Sequence, residues 1–360
     1  MYQLYKKSIF LALITFLIVK ADGQVTLPRT PSPAAMVQQT VGISTVTVKY
    51  SRPSVKSRDI WGALVPYGWN VQGFGNQLSA PWRAGANENT TIEFSHDAKV
   101  ENKQVPAGTY GLFFTINADN SGEVVLSKDY HSWGSFFYDS TRDVVRAPIA
   151  LRAGPETETL TYNFVNNTKN STELVLDWAR KEFPVKIEFD VDKIVMENAA
   201  NELKGTAGFN WMGFASAANY SYQNKVDLEQ GLKWADMAVA RQNSFGTLNI
   251  KSNILKELGR TQEADEAMKT AVDIATETEL NQYGYQLLNT NDYTKAIDIF
   301  KMNTQRHPKS ANTWDSLGEA YFLQGDKKKA AANFKKSLTL NPPANVRANS
   351  EKYLKQMGEM

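Results

Sequence analysis

Seven positions near the C-terminus recur at a spacing of 34 residues. Trp314, Leu317, Gly318, Tyr321, Ala330, Phe334 and Pro342 correspond to Leu280, Tyr283, Gly284, Leu287, Ala296, Phe300 and Pro308. Within each copy the apolar residues fall three and four apart, the period of one helix face. A repeat of this length is one helical hairpin. A single hairpin cannot bury its apolar face, so about three or more must stack. From residue 193 onward, strand-type alternation is absent, and the chain must form a helical array.

The spacing W-x2-L-G-x2-Y, then A-x3-F, then Pro is the tetratricopeptide pattern. Small residues at Gly284, Gly318, Ala296 and Ala330 let paired helices approach closely, and the large residues fill the space between them. A looser unit holds Leu248, Leu255, Ala264, Met268 and Ala271, with its register shortened by two residues. Another spans Phe209 to Arg241 and holds Leu228, Leu232 and Ala235. About four hairpins are therefore predicted over 209–344, preceded by a linker or first helix at 193–208. A capping helix follows at 345–360, with Val346, Tyr353, Leu354 and Met357 on one side. Repeat position places Asn249, Asn253, Asn281, Tyr285, Asp315 and Glu319 on the inner face. Similarity to tetratricopeptide proteins implies that this face binds an extended peptide or a partner protein. An asparagine carboxamide can serve a peptide N–H and C=O together. A solvated face without a ligand is the competing reading.

The preceding region has a different period. "VGISTVTVKYS" alternates, with Val46 and Val48 on one face and Thr45, Thr47 and Lys49 on the other. "TIEFSHDAKV", "GTYGLFFTI", "EVVLSKDY", "ETLTYNFVNN", "TELVLDWA" and "FPVKIEFDV" read the same way. About eight antiparallel strands, punctuated by Gly, Pro, Asn and Asp, predict a sandwich-like or flattened-barrel domain over 24–192. The fold class is thus multidomain: an antiparallel β-sandwich-like domain followed by an α-helical solenoid.

The first residues, "MYQLYKKSIFLALITFLIVKADGQ", pair Lys6 and Lys7 with an apolar run from Ser8 to Val19. That run is too short to span a bilayer, and Ala21 and Gly23 provide small residues for cleavage before Gln24. Residues 1–23 are read as a signal peptide, and the mature chain as periplasmic or secreted without stable membrane insertion. An uncleaved anchor is the alternative. Cysteine is absent, which excludes disulfides and thiolate chemistry, so an exported chain must rely on its core. A net charge of +2 without long basic runs gives no reason to expect a nucleic acid partner.

Catalytic patterns are sparse. Of the three histidines, His96, His131 and His307, none has metal-ligand spacing. No nucleophile elbow or phosphate loop occurs, and no metal or cofactor is expected. What remains are the carboxylates Glu88, Asp139 and Asp143 with the arginines Arg52, Arg58, Arg83, Arg142 and Arg146. Such groups either form a structural ion-pair network or clamp a polar ligand, and Glu88 and Asp139 are the weak catalytic candidates.

"YSRPSVKSRDIWGALVPYG", "WRAGANE", "VPAGTYGLFF" and "SWGSFFYDSTRDVVR" occur in one order. Together, over about 32–192, they resemble the exported bacterial domain of unknown function 2911. The resemblance implies a β-rich exported domain and brings no activity or catalytic residues. Its "PYG" segment usually runs almost directly into "WR"; here "WNVQGFGNQLSAP", Trp69 to Pro81, intervenes. "YDSTRDVVR" is expected to meet Arg83 and Glu88 across the sheet. Trp69 and Phe74, in a Gly/Asn-rich insertion, are not assigned to a core. The expected ligand-binding set is Arg83, Asn87, Glu88, Asp139, Asp143 and Arg146, for a glycan or small polar compound. The expected function is an exported non-enzymatic binding or scaffolding protein. The alternatives are an enzyme acting on cell-envelope glycan or peptide through Glu88 and Asp139, and a small polar ligand-binding module.

Overall fold

A computed structural model describes residues 31–360. The predicted signal segment lies outside the described residues. None of the described helices is long and apolar enough to cross a membrane. The chain divides into two compact units, one ending at Phe189 and the next starting at Asp190.

Among the described residues the first unit contains fourteen strands rather than about eight, three of them only two residues long. They are β1 (Ala34–Val41), β2 (Ser44–Ser51), β3 (Asn70–Val71), β4 (Ser79–Ala80), β5 (Thr91–Phe94), β6 (Ala98–Val100) and β7 (Lys103–Val105). There follow β8 (Gly108–Ile116), β9 (Ser121–Ser127), β10 (Asp143–Ala150), β11 (Arg152–Ala153), β12 (Thr161–Val165), β13 (Ser171–Trp178) and β14 (Lys181–Phe189). One sheet runs β1-β2-β5-β8-β9-β10; the other runs β12-β13-β14-β6-β7, with β11 on β14 and β3-β4 as a separate hairpin.

Aromatic rings link the two sheets. Phe114 of β8 lies 5.2 Å from Phe183 of β14, and Tyr50 of β2 lies 4.7 Å from Tyr162 of β12. Val46, Val48 and Tyr50 of β2 are buried, as alternation requires. β8 departs from it: Leu112, Phe113 and Phe114 are all buried in succession. One side meets the opposite sheet. On the other, Phe113 packs with Ala80, Val125 and Tyr138, and Trp69 closes over this cluster. Trp69 thus belongs to a small core, whereas Phe74 is 66% exposed. The insertion has covered a sheet face, which is why "GTYGLFFTI" does not alternate.

The second unit consists of α1 (Val191–Glu202), α2 (Trp211–Asn224), α3 (Leu228–Arg241), α4 (Phe245–Glu257) and α5 (Thr261–Ile274), then α6 (Glu277–Asn289), α7 (Tyr293–Arg306), α8 (Ala311–Gln324), α9 (Lys327–Thr339) and α10 (Ala344–Gln356). The Asp190 carboxylate caps α1 by accepting from Lys193 N–H. Helices α2/α3, α4/α5, α6/α7 and α8/α9 pack as successive hairpins. The fully buried Phe300 and Phe334 lie against Gly284 and Gly318, where a Cβ would meet the ring at 2.5 and 2.9 Å. In α4 the equivalent small position is Ser252, whose hydroxyl donates to Ala264 C=O at 2.8 Å. That satisfied hydroxyl explains how the looser unit keeps the same packing without glycine.

Candidate functional site

The loop after the insertion is fixed by its backbone. Trp82 exchanges two hydrogen bonds with Phe114, 2.8 and 2.9 Å, and so extends pairing to the edge of β8. Its indole stacks on Trp178 at 5.9 Å and 15°. The Ala84 carbonyl accepts from two hydroxyls, Tyr162 at 2.9 Å and Thr90 at 3.1 Å. These bonds hold Ala84 at φ 54°, and Asn87 lies at φ 60° in the same loop. Non-glycine residues in this region are strained and persist where their surroundings impose them.

Arg83 is half-buried in this frame. Its Nη1 donates to Asn87 C=O at 2.6 Å, and its guanidinium lies 5.1 Å from the Phe136 ring centre. A Cβ on Gly134 would lie 2.1 Å from Arg83 Cζ, so a glycine there makes the seat. Burial lowers the Arg83 pKa from its ordinary value. Among the described residues Arg83 forms no ion pair.

Arg83 and Asn87 line a cavity of about 510 Å³, within the size range of small-molecule sites. Lys56 and Arg58 also line it, with Ser54, Asn70, Gln72 and Ser135, and with Leu64, Trp82 and Trp178 as apolar wall. Among the described residues no Asp or Glu lines it. Lys56 is exposed, and Arg58 donates to the Val55 and Ser54 carbonyls at 3.0 and 2.5 Å.

The remaining motif residues lie elsewhere. Glu88 lines a different cavity, beside Met36, Lys49 and Tyr50. Asp143 and Arg146 form an ion pair at 2.5 Å. Tyr138 OH donates to Asp143 Oδ2 at 2.5 Å, and Arg146 stacks 4.5 Å from the Trp69 ring. Trp69 Nε1 donates in turn to Glu123 Oε2 at 3.0 Å. Burial raises the Asp143 pKa, opposed by the bonds from Tyr138 and Arg146. Asp139 is exposed and accepts from Thr141 N–H and Oγ1, which holds its pKa low. Arg142 pairs with Asp129, and Arg52 donates to Leu160 C=O and Thr161 Oγ1. The expected meeting of "YDSTRDVVR" with Arg83 therefore does not occur: Tyr138, Asp143 and Arg146 close on Trp69 of the insertion. Lys56, Gly134 and Trp178 had no distinguishing sequence pattern, because their roles depend on loops far apart in the chain.

On the helical unit, Asn249 and Asn253 are half-buried and their carboxamides lie 3.5 Å apart. Asn281 is half-buried, and its Oδ1 has no hydrogen-bond partner. Tyr285 OH donates to Glu319 Oε2 at 3.0 Å, and Tyr353 OH to Glu319 Oε1 at 3.0 Å. Asp315 is buried and accepts from Ser350 Oγ at 2.5 Å and Asn349 Nδ2 at 2.8 Å. Asp315 and Glu319 thus tie α8 to α10, while Asn249, Asn253 and Asn281 keep polar atoms that no tight helix contact uses.

Residues 32–187 match the family described as "Protein of unknown function (DUF2911)". Tetratricopeptide repeat families match residues 246–278 and 311–344. The chain thus carries a region that matches this family model, followed by regions that match tetratricopeptide repeats. No curated protein matches it. Among solved structures, the C-terminal part of a TPR repeat-containing protein from Cytophaga hutchinsonii is 17% identical, covers 46% of this chain and 70% of that one, and gives a TM-score of 0.31. MamA from Desulfovibrio magneticus RS-1 is 17% identical over 41% of this chain and 86% of its own, with a TM-score of 0.27. YrrB, titled a TPR protein with an unusual peptide-binding site, is 15% identical over 45% and 84%, with a TM-score of 0.29.

Proposed function

We propose that this is an exported, non-enzymatic scaffolding protein whose helical array holds a protein or peptide partner and whose β unit offers a second recognition surface. The observation that carries the reading is the row of half-buried asparagines, Asn249, Asn253 and Asn281, on consecutive repeats of a tetratricopeptide array. A peptide laid along them would meet carboxamides able to donate and accept at once. The cavity around Arg83 supports the second surface.

The carboxylate enzyme reading has less support, since Glu88 lines a cavity beside Lys49 while Asp139 accepts from Thr141. Export rests on the "KKSIFLALITFLIV" segment and the small residues after it.

The test is capture from envelope extract on the immobilised mature chain, compared with Asn249→Arg/Asn253→Arg. The variant is expected to keep its melting temperature within about 2 °C, as half-exposed helix positions usually allow. It is expected to lose at least about tenfold of one retained protein, roughly 1.4 kcal/mol of binding. Equal retention by both chains overturns the asparagine face as the binding surface.

A further inference from the structure

We propose that the cavity around Arg83 binds a small organic carboxylate, seated on the guanidinium with its apolar body against Leu64 and Trp82. This rests on reading the β unit as a recognition surface and gives that surface its chemistry. The first support is charge. Among the described residues three cations, Lys56, Arg58 and Arg83, line the cavity and no acid does. Glu158 accepts from Lys56 N–H at 2.9 Å and lines a neighbouring cavity, while Glu88 of the Arg83 loop lines another.

The second support is the state of Arg83. A cation withdrawn from water is normally matched by a carboxylate. Among the described residues Arg83 has only the Asn87 carbonyl and the Phe136 ring as partners. Nη1 makes its one hydrogen bond among the described residues, which leave the Nε and Nη2 edge without an acceptor. That edge presents two parallel N–H groups, the geometry that takes a carboxylate in bidentate fashion. Left-handed Ala84 and Asn87, together with the Gly134 seat, keep the guanidinium in place before any ligand arrives. Arg83 is thus a half-buried guanidinium held in place by the protein, with a two-donor edge that no acceptor among the described residues takes.

Size and wall set the rest of the ligand. About 510 Å³ holds a compact organic molecule. Trp82, Trp178 and Leu64 supply apolar area, while Asn70, Gln72 and Ser135 provide polar groups. The exposed Lys56 and Arg58 raise the local anion concentration without forming the specific contact.

The experiment titrates the mature full-length chain, by calorimetry and thermal shift, with N-acetyl-leucine, its amide, inorganic phosphate and N,N′-diacetylchitobiose. N-acetyl-leucine is expected to bind and raise the melting temperature, and its amide to bind at least tenfold more weakly. Arg83→Gln is expected to abolish the difference between acid and amide, and Arg83→Lys to keep part of it. Should Arg83→Gln not fold, Lys56→Gln/Arg58→Gln at exposed positions serves instead, with an expected threefold or greater loss of acid binding and a flatter salt dependence. Equal binding of acid and amide overturns the inference, as does phosphate binding without the acid, or no binding of any probe. Diacetylchitobiose binding that is unchanged in Arg83→Gln also overturns it, yet leaves the β unit standing as a recognition surface.

Discussion

Asp315 shows how one side chain changes meaning once its neighbours are known. Its repeat position points to the inner face of the array, yet its carboxylate lies among Ser350, Asn349 and Glu319. Burial raises its pKa from 3.8, with the two hydrogen bonds opposing and Glu319 adding to the rise. A carboxyl held high in the folded state binds its proton more readily there than in the unfolded chain. Its stabilising contribution is therefore full below its unfolded value, about pH 4, and is lost as pH rises through the higher folded value. Urea denaturation between pH 4 and 7 should show wild type losing stability with rising pH relative to Asp315→Asn. Parallel curves for the two chains would refute this. Arg83 is the counterpart: its residue type pointed to an ion pair, and the fold withheld the acid.

At the level of elements, the helices follow closely from the repeat, because glycine and phenylalanine recur where helices cross. The Cβ of Gly318→Ala would lie 2.9 Å from Phe334 Cδ1 and Cε1. Overpacking should destabilise the array by about 1–3 kcal/mol, despite alanine's better helix propensity. Phe334→Leu placed with it should recover part of that loss, giving a non-additive double-mutant cycle in urea midpoints. Strict additivity would show that the two side chains do not meet. The strands were less legible. β8 was read as alternating, but its outer face is covered by the residues around Trp69 and Ala80. β3, β4 and β11 are too short to leave any periodic signal. The helix α1 occupies much of the segment read as linker or first helix; its cap, Asp190, lies just before that segment.

For the whole molecule, the change of period near residue 193 falls close to the division between the two packed units, at Phe189 and Asp190. The second unit has buried clusters of its own, from Phe214 and Leu232 through Phe300 to Phe334, with Tyr353 of α10 stacked on Phe334 at 5.1 Å and 7°. Residues 190–360 produced alone are expected to show full helical circular dichroism and one cooperative thermal transition. A gradual, featureless melt would show that the array lacks a sufficient core.

The sequence by itself determined the order of architectures, the repeat length, the helix-crossing glycines and the buried faces of strands such as β2. Those features follow from short-range periodicity, which a single chain displays directly. Only the tertiary structure decided which charges meet. Arg83, Ser135, Lys56 and Trp178 come from four separate segments, and their cavity exists because two sheets and an insertion bring those segments together. The same is true of Asp315 and Ser350, thirty-five positions apart and joined by one hydrogen bond. Partner choice among polar groups depends on distance and burial in the folded chain, and periodicity carries neither quantity.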